Sequence, residues 1–334
     1  MTRSPIAFYP VLGPRLALGR GGDLARRLDR PGALRVSHAR AGLRLIARGL
    51  GGRGPVLLPD FLCASAIEPF AAEGLDVARY RVGPDLAPDL DELSALARDG
   101  ARAAMMVSYF GLSQPVERFR EVCRSAEIGL IDDSAHSLLS DHDGAPYGTL
   151  GDAGVVSVRK ALATPDGAVL FGSSAGDPDG LQRTRPPSSR YLVRTLARRA
   201  DALLRTDVLG RRARARSGQL PSAAQHEDER AAWSRLTERV VDAADVERER
   251  ELRRRAFAAW PALLEGAGAV ALAGTPAPDI GPTGFPVRIT DEERFARRMR
   301  ELRVEWIRWP DRPSDSAEFP RGVGVLPTHS VRTA

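Results

Sequence analysis

Residues 103–138 read AAMMVSYFGLSQPVERFREVCRSAEIGLIDDSAHSL, and their pattern decides the fold. An apolar run at 103–110 gives way to helical spacing at 116–126, after Pro115, and then to a second apolar run at 128–132. Short apolar runs on either side of an amphipathic helix describe strand, helix, strand, the unit of a parallel sheet covered on both faces. The alternation continues outward. Upstream, 38–49 has helical spacing through Leu43 and Ile46, 55–59 is a short strand, 64–72 a helix, 77–82 a strand and 90–98 a helix. Downstream, 154–158 and 168–171 are short strands. This is an α/β fold with a mostly parallel sheet.

Beyond residue 175 the pattern changes. Residues 227–265 read as one or two long helices, with Trp233, Leu236, Val240 and Val241 on one face. Strands near 268–272 and 285–289 and a helix across 291–302 follow. The expected organisation is an N-terminal segment over 1–34, a large α/β domain over 35–240 and a smaller C-terminal α+β domain over 241–334.

Composition removes several classes. The 334 residues are 43% apolar and 28% charged, which excludes a mostly disordered chain. No stretch approaches eighteen apolar residues, and prolines and charges interrupt the first twenty, so neither a transmembrane helix nor a secretory signal is expected. Two cysteines, Cys63 and Cys123, are too few for a disulfide scaffold or a four-thiolate zinc site, and a cytoplasmic setting is expected. The formal charge is +6, yet eleven arginines between Arg183 and Arg216 face only Asp201 and Asp207. That segment reads as a solvated helix face, with no specific nucleic-acid partner expected. Of the 49 basic residues only Lys160 is a lysine. Any chemistry that needs a side-chain amine must use it.

In an open parallel sheet, ligands gather beyond the carboxyl ends of the strands. Two segments put reactive groups there. In 131–137 (IDDSAHS) a buried strand runs into Asp133, with His136 three residues on. In 151–160 (GDAGVVSVRK) a strand ends in Ser157 and Lys160. Each residue alone has an ordinary structural reading, as a turn cap, a satisfied histidine or a surface amine. Together, a carboxylate, an imidazole, a hydroxyl and an amine are what pyridoxal phosphate requires.

The chain resembles the DegT/DnrJ/EryC1/StrS aminotransferases, pyridoxal-phosphate enzymes of fold type I, over roughly residues 35–330. The matching blocks are HARAGL (38–43), VLLPDFLCAS (56–65), MMVSYFG (105–111), LIDDSAHSL (130–138), GTLGDAGVVSVRKALATPDGAVLF (148–171) and LPTHS (326–330). The resemblance implies a phosphate-binding turn at Ala39 and Arg40, Asp133 opposite the pyridine nitrogen and His136 near the phenolic oxygen. It also implies Ser157 at the phosphate and Lys160 as the Schiff-base lysine. Ala39 stands where the family usually has glycine, and Cys63 where an aromatic ring often stacks, with Phe61 as a substitute.

The function expected by resemblance is amino-group transfer from glutamate to a keto-sugar nucleotide or similar biosynthetic ketone, on pyridoxal 5'-phosphate, by a homodimer. Relatives that dehydrate sugars carry histidine in place of the lysine. The rival readings are a degenerate relative serving as partner or scaffold, and an anionic-surface binder using residues 183–216.

Overall fold

A computed structural model describes residues 6, 10, 21–172, 232–310 and 323–329. The arginine-rich stretch 183–216 lies outside the described residues. The first elements are α1 (Leu24–Leu28), β1 (Leu34–Val36), α2 (Ala39–Gly49), β2 (Val56–Pro59), α3 (Ala64–Ala72), β3 (Val77–Tyr80), α4 (Leu90–Arg98) and β4 (Ala103–Val107). Next come α5 (Val116–Ser125), β5 (Gly129–Ser134), the hairpin β6 (Asp141–His142) and β7 (Ala145–Pro146), β8 (Ala153–Ser157), the one-turn α6 (Val158–Ala161) and β9 (Ala168–Gly172).

Seven of these strands form one sheet in the order β1-β9-β8-β5-β4-β2-β3. All residues of β2, β4 and β8 are buried, the signature of strands covered on both faces. Pairings from β3 through β8 are parallel, whereas β8–β9 and β9–β1 are antiparallel. The sheet is therefore mostly parallel, with one antiparallel edge. Helix starts follow their caps: the Asp89 carboxylate accepts from the Glu92 amide at 3.0 Å, with Asp91 and Glu92 in the first turn of α4.

The C-terminal region adds α7 (Arg235–Ala243), α8 (Val246–Leu263), β10 (Ala269–Ala271), β11 (Gly284–Ile289), α9 (Glu292–Leu302), β12 (Ile307–Trp309) and β13 (Val323–Pro327). Its four strands form a separate antiparallel sheet, β10-β11-β13-β12. Trp233, Val240 and Val241 are buried as their shared face predicts, in a cluster with Leu24 and Leu28 of α1, Val156 and Phe171 of the large sheet and Val158 of α6.

Three local readings are revised. The run 103–110 is a strand only to Val107, because Tyr109–Gly111 turns as a short 3₁₀ segment with Phe110 at φ 55°, ψ 20°. The run 128–132 extends to Ser134, so both aspartates lie inside β5 rather than at its exit. Strands β1, β12 and β13 were not expected. They are three, three and five residues long, too short for periodicity to mark them.

Gly154 of β8 sits opposite Asp132 in the ladder, beneath the turn at residues 148–150. A Cβ there would lie 2.3 Å from the Gly148 carbonyl oxygen and 2.8 Å from that of Asp132. Both are backbone atoms that cannot swing aside. Gly154→Ala is therefore expected to cost about 3 kcal/mol, the upper end of overpacking costs, read as a lowered denaturant midpoint at unchanged m-value.

Candidate active site

Strands β4, β5 and β8 run parallel, so their carboxyl ends open on one edge of the sheet. β4 leads to the turn at Tyr109–Gly111, β5 to His136, and β8 to α6 with Lys160. The chain brings these three exits together. The Lys160 Nζ lies 3.0 Å from His136 Nε2.

The turn that carries Lys160 is pinned from several sides. The Val158 and Arg159 amides donate to the Gly167 carbonyl at 2.9 and 3.4 Å, and the Gly167 amide donates to the Ser37 carbonyl at 2.6 Å. Asp166 accepts from the Ser234 amide at 2.9 Å and the Thr237 hydroxyl at 2.5 Å, tying the same loop to the start of α7. From α8, the buried Arg253 donates to the Ala161 carbonyl and, at 3.3 Å, to the Thr328 hydroxyl. Burial pushes this guanidinium down to about 10. Sequence reasoning missed Arg253, since α8 is rich in arginine and nothing marks one of them as interior.

His136 is held by its neighbours on the β4 turn. Its ring stacks on Phe110 at 5.4 Å and 22°, and its Nδ1 accepts from the Phe110 amide at 3.3 Å. Desolvation, with the Lys160 charge adding to it, holds the imidazole well below its usual range, so the ring is neutral. The Phe110 amide reaches Nδ1 through the left-handed φ of Phe110, a conformation that costs a bulky residue about 1–2 kcal/mol. Gly111 follows at φ +81°, where a Cβ would fall 2.9 Å from the His136 carbonyl oxygen. Trp309, at the end of β12, presents edges to Phe61 (4.8 Å), Tyr109 (5.5 Å), Phe110 (5.5 Å) and His136 (6.1 Å). Phe61 is fully buried in that cluster, and Cys63 lies nearby in sequence with its Sγ 3.2 Å from the Ser65 hydroxyl.

Neighbours in a strand face opposite ways, and the two aspartates of β5 differ accordingly. Asp132, fully buried, accepts from the amides of Gly148 (2.6 Å) and Leu150 (3.1 Å) and from the Ser134 hydroxyl (2.5 Å). Burial nonetheless pushes its carboxyl up to about 6. Asp133 accepts from the Ala135 amide at 3.1 Å. Burial raises it too, while the charge of Lys160 and that amide pull it back. Asp132 is thus committed to the 148–150 turn, whereas Asp133 interacts electrostatically with Lys160.

Ala39 and Arg40 open α2, an eleven-residue helix whose extended Ncap, His38, makes no side-chain cap bond and whose first turn has no acidic residue. The Arg40 side chain turns toward Glu68, at 3.8 Å. Just before the helix, the buried Ser37 hydroxyl has no hydrogen-bond partner, and neither does the buried Thr164 hydroxyl four residues after Lys160. Ser157, 3% exposed, caps α6 in extended conformation. An uncompensated helix N-terminus beside unused hydroxyls is a setting for an anion such as a phosphate. The amine, the buried carboxyl and this anion cradle together fit pyridoxal phosphate. Among the described residues, no cluster of His, Cys, Asp or Glu could hold a metal, and no helix is long and apolar enough to cross a membrane.

Comparison with known proteins adds four findings. Residues 24–175 match the model of the DegT/DnrJ/EryC1/StrS aminotransferase family. The chain is similar to the dTDP-4-dehydro-2,3,6-trideoxy-D-glucose 4-aminotransferase of Saccharopolyspora spinosa, 30% identical over 139 residues. That match spans 41% of this chain and 35% of the relative, about a third of its length. The whole fold is similar to the aminotransferase TlmJ of Streptoalloteichus hindustanus (TM-score 0.64, 21% identity, 100% of this chain and 94% of that one). It is also similar to the sugar aminotransferase CalS13 of Micromonospora echinospora (TM-score 0.62, 19% identity, 98% and 95%).

Proposed function

We propose, from the match of residues 24–175 to the DegT/DnrJ/EryC1/StrS aminotransferase family model, that this chain is a pyridoxal-phosphate-dependent aminotransferase of that kind acting on a keto-sugar nucleotide. The observation that carries the reading is the pairing of the chain's one lysine with His136 at 3.0 Å, beside the buried Asp133. The sugar-nucleotide relative supports the substrate class. Glutamate as donor, assembly as a homodimer and a cytoplasmic setting complete the proposal, as does the division of the chain at residues 35 and 241.

Each residue has a defined task. Lys160 would hold the cofactor covalently through its Nζ, and the same nitrogen would serve as the proton carrier for the substrate carbon. Asp133 keeps the ring nitrogen protonated by offering a carboxylate. The first amides of α2, at Ala39 and Arg40, and the Ser157 hydroxyl receive the phosphate. His136 braces the ring side of the site and keeps its Nε2 beside the amine. When bound, the cofactor supplies an aldehyde for the amine and an electron sink for the substrate carbon.

The test is spectroscopic and chemical. Protein saturated with pyridoxal phosphate is expected to show a visible absorbance band, and borohydride to fix the cofactor on the peptide containing Lys160. An unmodified Lys160 peptide under saturation removes the aminotransferase reading.

A further inference from the structure

The neutral His136 ring carries one proton, and two tautomers compete for it. The Phe110 amide donates to Nδ1, at 3.3 Å, so Nδ1 must be the bare nitrogen and Nε2 the one that bears hydrogen. The atom 3.0 Å beyond Nε2 is the Lys160 amine. The tautomer is therefore selected by a backbone amide, and the residue that supplies it, Phe110, is left-handed.

What holds Phe110 in this conformation comes from the other sheet. Thr283, next to the first residue of β11, donates its amide to the Phe110 carbonyl at 2.7 Å and its hydroxyl to the His136 carbonyl at 2.9 Å. One residue thus binds the carbonyls of both partners in the Nδ1 contact. The strap is fixed behind Thr283 as well. The Gly281 amide donates to the Ser140 hydroxyl at 3.1 Å, that hydroxyl donates to the Gly111 carbonyl at 2.9 Å, and the Asp141 amide donates to the Asp279 carbonyl at 2.9 Å. A strained backbone persists only where its surroundings over-determine it, and here the determining contacts are these.

We propose that Thr283 and the left-handed backbone of Phe110 are positioning residues that fix the tautomer of His136, and through it present Nε2–H to the Lys160 amine. An Nε2 without its hydrogen could only accept from the Lys160 nitrogen, whereas Nε2–H faces that nitrogen as a donor, so the tautomer sets the direction of the 3.0 Å contact. The proposal rests on the reading of Lys160 as the reactive amine.

The experiment uses the full chain, cleared of carbonyl ligands with hydroxylamine. Imidazole nitrogen NMR, with the His136 signals among the chain's five histidines assigned by their loss in His136→Gln, reports the tautomer directly. Labelling with trinitrobenzenesulfonate at fixed pH, read on the Lys160 peptide, reports the amine. Wild-type protein is expected to hold the Nε2–H form. Thr283→Val, which keeps the shape and loses the hydroxyl, is expected to mix the tautomers and slow Lys160 labelling about tenfold, the worth of one hydrogen bond. Thr283→Ser is expected to restore both readouts. Wild-type tautomer and labelling rate in Thr283→Val, or a failure of serine to restore them, overturns the proposal. Phe110→Asn, whose side chain tolerates the left-handed region, provides a second variant expected to keep the Nε2–H form without the stacked ring. Neither readout involves pyridoxal phosphate, so failure of the cofactor reading is registered separately, by the borohydride experiment.

Discussion

Asp133→Asn is expected to leave the fold and cofactor affinity nearly unchanged while slowing single-turnover amine transfer by about 10³-fold or more, about 4 kcal/mol of transition-state stabilisation. The covalent and phosphate contacts proposed above lie on Lys160 and at the start of α2, separate from this carboxyl. What the amide lacks is the negative charge that makes a protonated ring nitrogen favourable, and without that proton the ring withdraws electrons poorly. Asp132→Asn is the control. Its amide carbonyl can accept from the Gly148 and Leu150 amides, and its NH₂ can donate to Ser134, so every bond of the carboxylate has a substitute. That variant is expected to transaminate within a few-fold of wild type. Its stability should differ in a pH-dependent way. The Asp132 carboxyl, raised to about 6, binds its proton more tightly in the folded chain than in the unfolded one. Its contribution is present below about pH 4 and is lost as the pH climbs through about 6. Asp132→Asn should therefore gain on wild type between pH 4.5 and 7.5 in thermal melts. An active Asp133→Asn beside a dead Asp132→Asn reverses the assignment of the pair.

Lys160→Ala is expected to abolish the borohydride adduct and to lower amine transfer by at least about 10³-fold, near the upper range of general-base contributions. No other lysine exists to take over, which makes this variant unusually clean. Losing the side chain leaves His136 Nε2 without its partner 3.0 Å away, yet the turn keeps its backbone anchors to Gly167 and its Arg253 contact. The melting temperature should move little. Added methylamine should restore part of the rate by serving as a free proton carrier. Mass spectrometry of the reduced protein and stopped-flow rates with and without the amine check both statements. Undiminished turnover in Lys160→Ala would place the chemistry elsewhere.

What could be read from the residues follows from what makes a local signal. The buried strands at 103–107 and 153–157 announce themselves because burial on both faces demands unbroken apolar runs. Lys160 stands out by scarcity, and Asp133 and His136 by following an apolar run, although that strand continues through Asp133 to Ser134. The direction of β9 was not legible, since AVLFG reads alike in a parallel or antiparallel pairing. The turn at Phe110 was hidden because nothing about a phenylalanine signals positive φ, and the apolar pattern runs through it. Thr283 was invisible for a different reason. A threonine 147 residues from His136 acquires its meaning only when the two sheets meet. Arg253 was one arginine among many in α8, distinguished only by being 1% exposed.

The antiparallel edge of the large sheet has a consequence for how the chain assembles during synthesis. Among the described residues β1 pairs with β9 alone, so residues 34–36 find this ladder partner once residues 168–170 have been made. Residues 22–24 wait longer still, for the carbonyls of Asp242 and Ala244. The strands between them in sequence, β2 to β5, pair among themselves and can form as soon as they emerge, at lower loop-closure cost. The nascent chain therefore builds its sheet from the middle outward and holds its own beginning in reserve. Ser37, which anchors the lysine loop through Gly167, belongs to that reserve. The frame around Lys160 is closed by the return of residues 34–37 to β9 and Gly167, so an aldehyde that meets the chain before then finds a less enclosed amine.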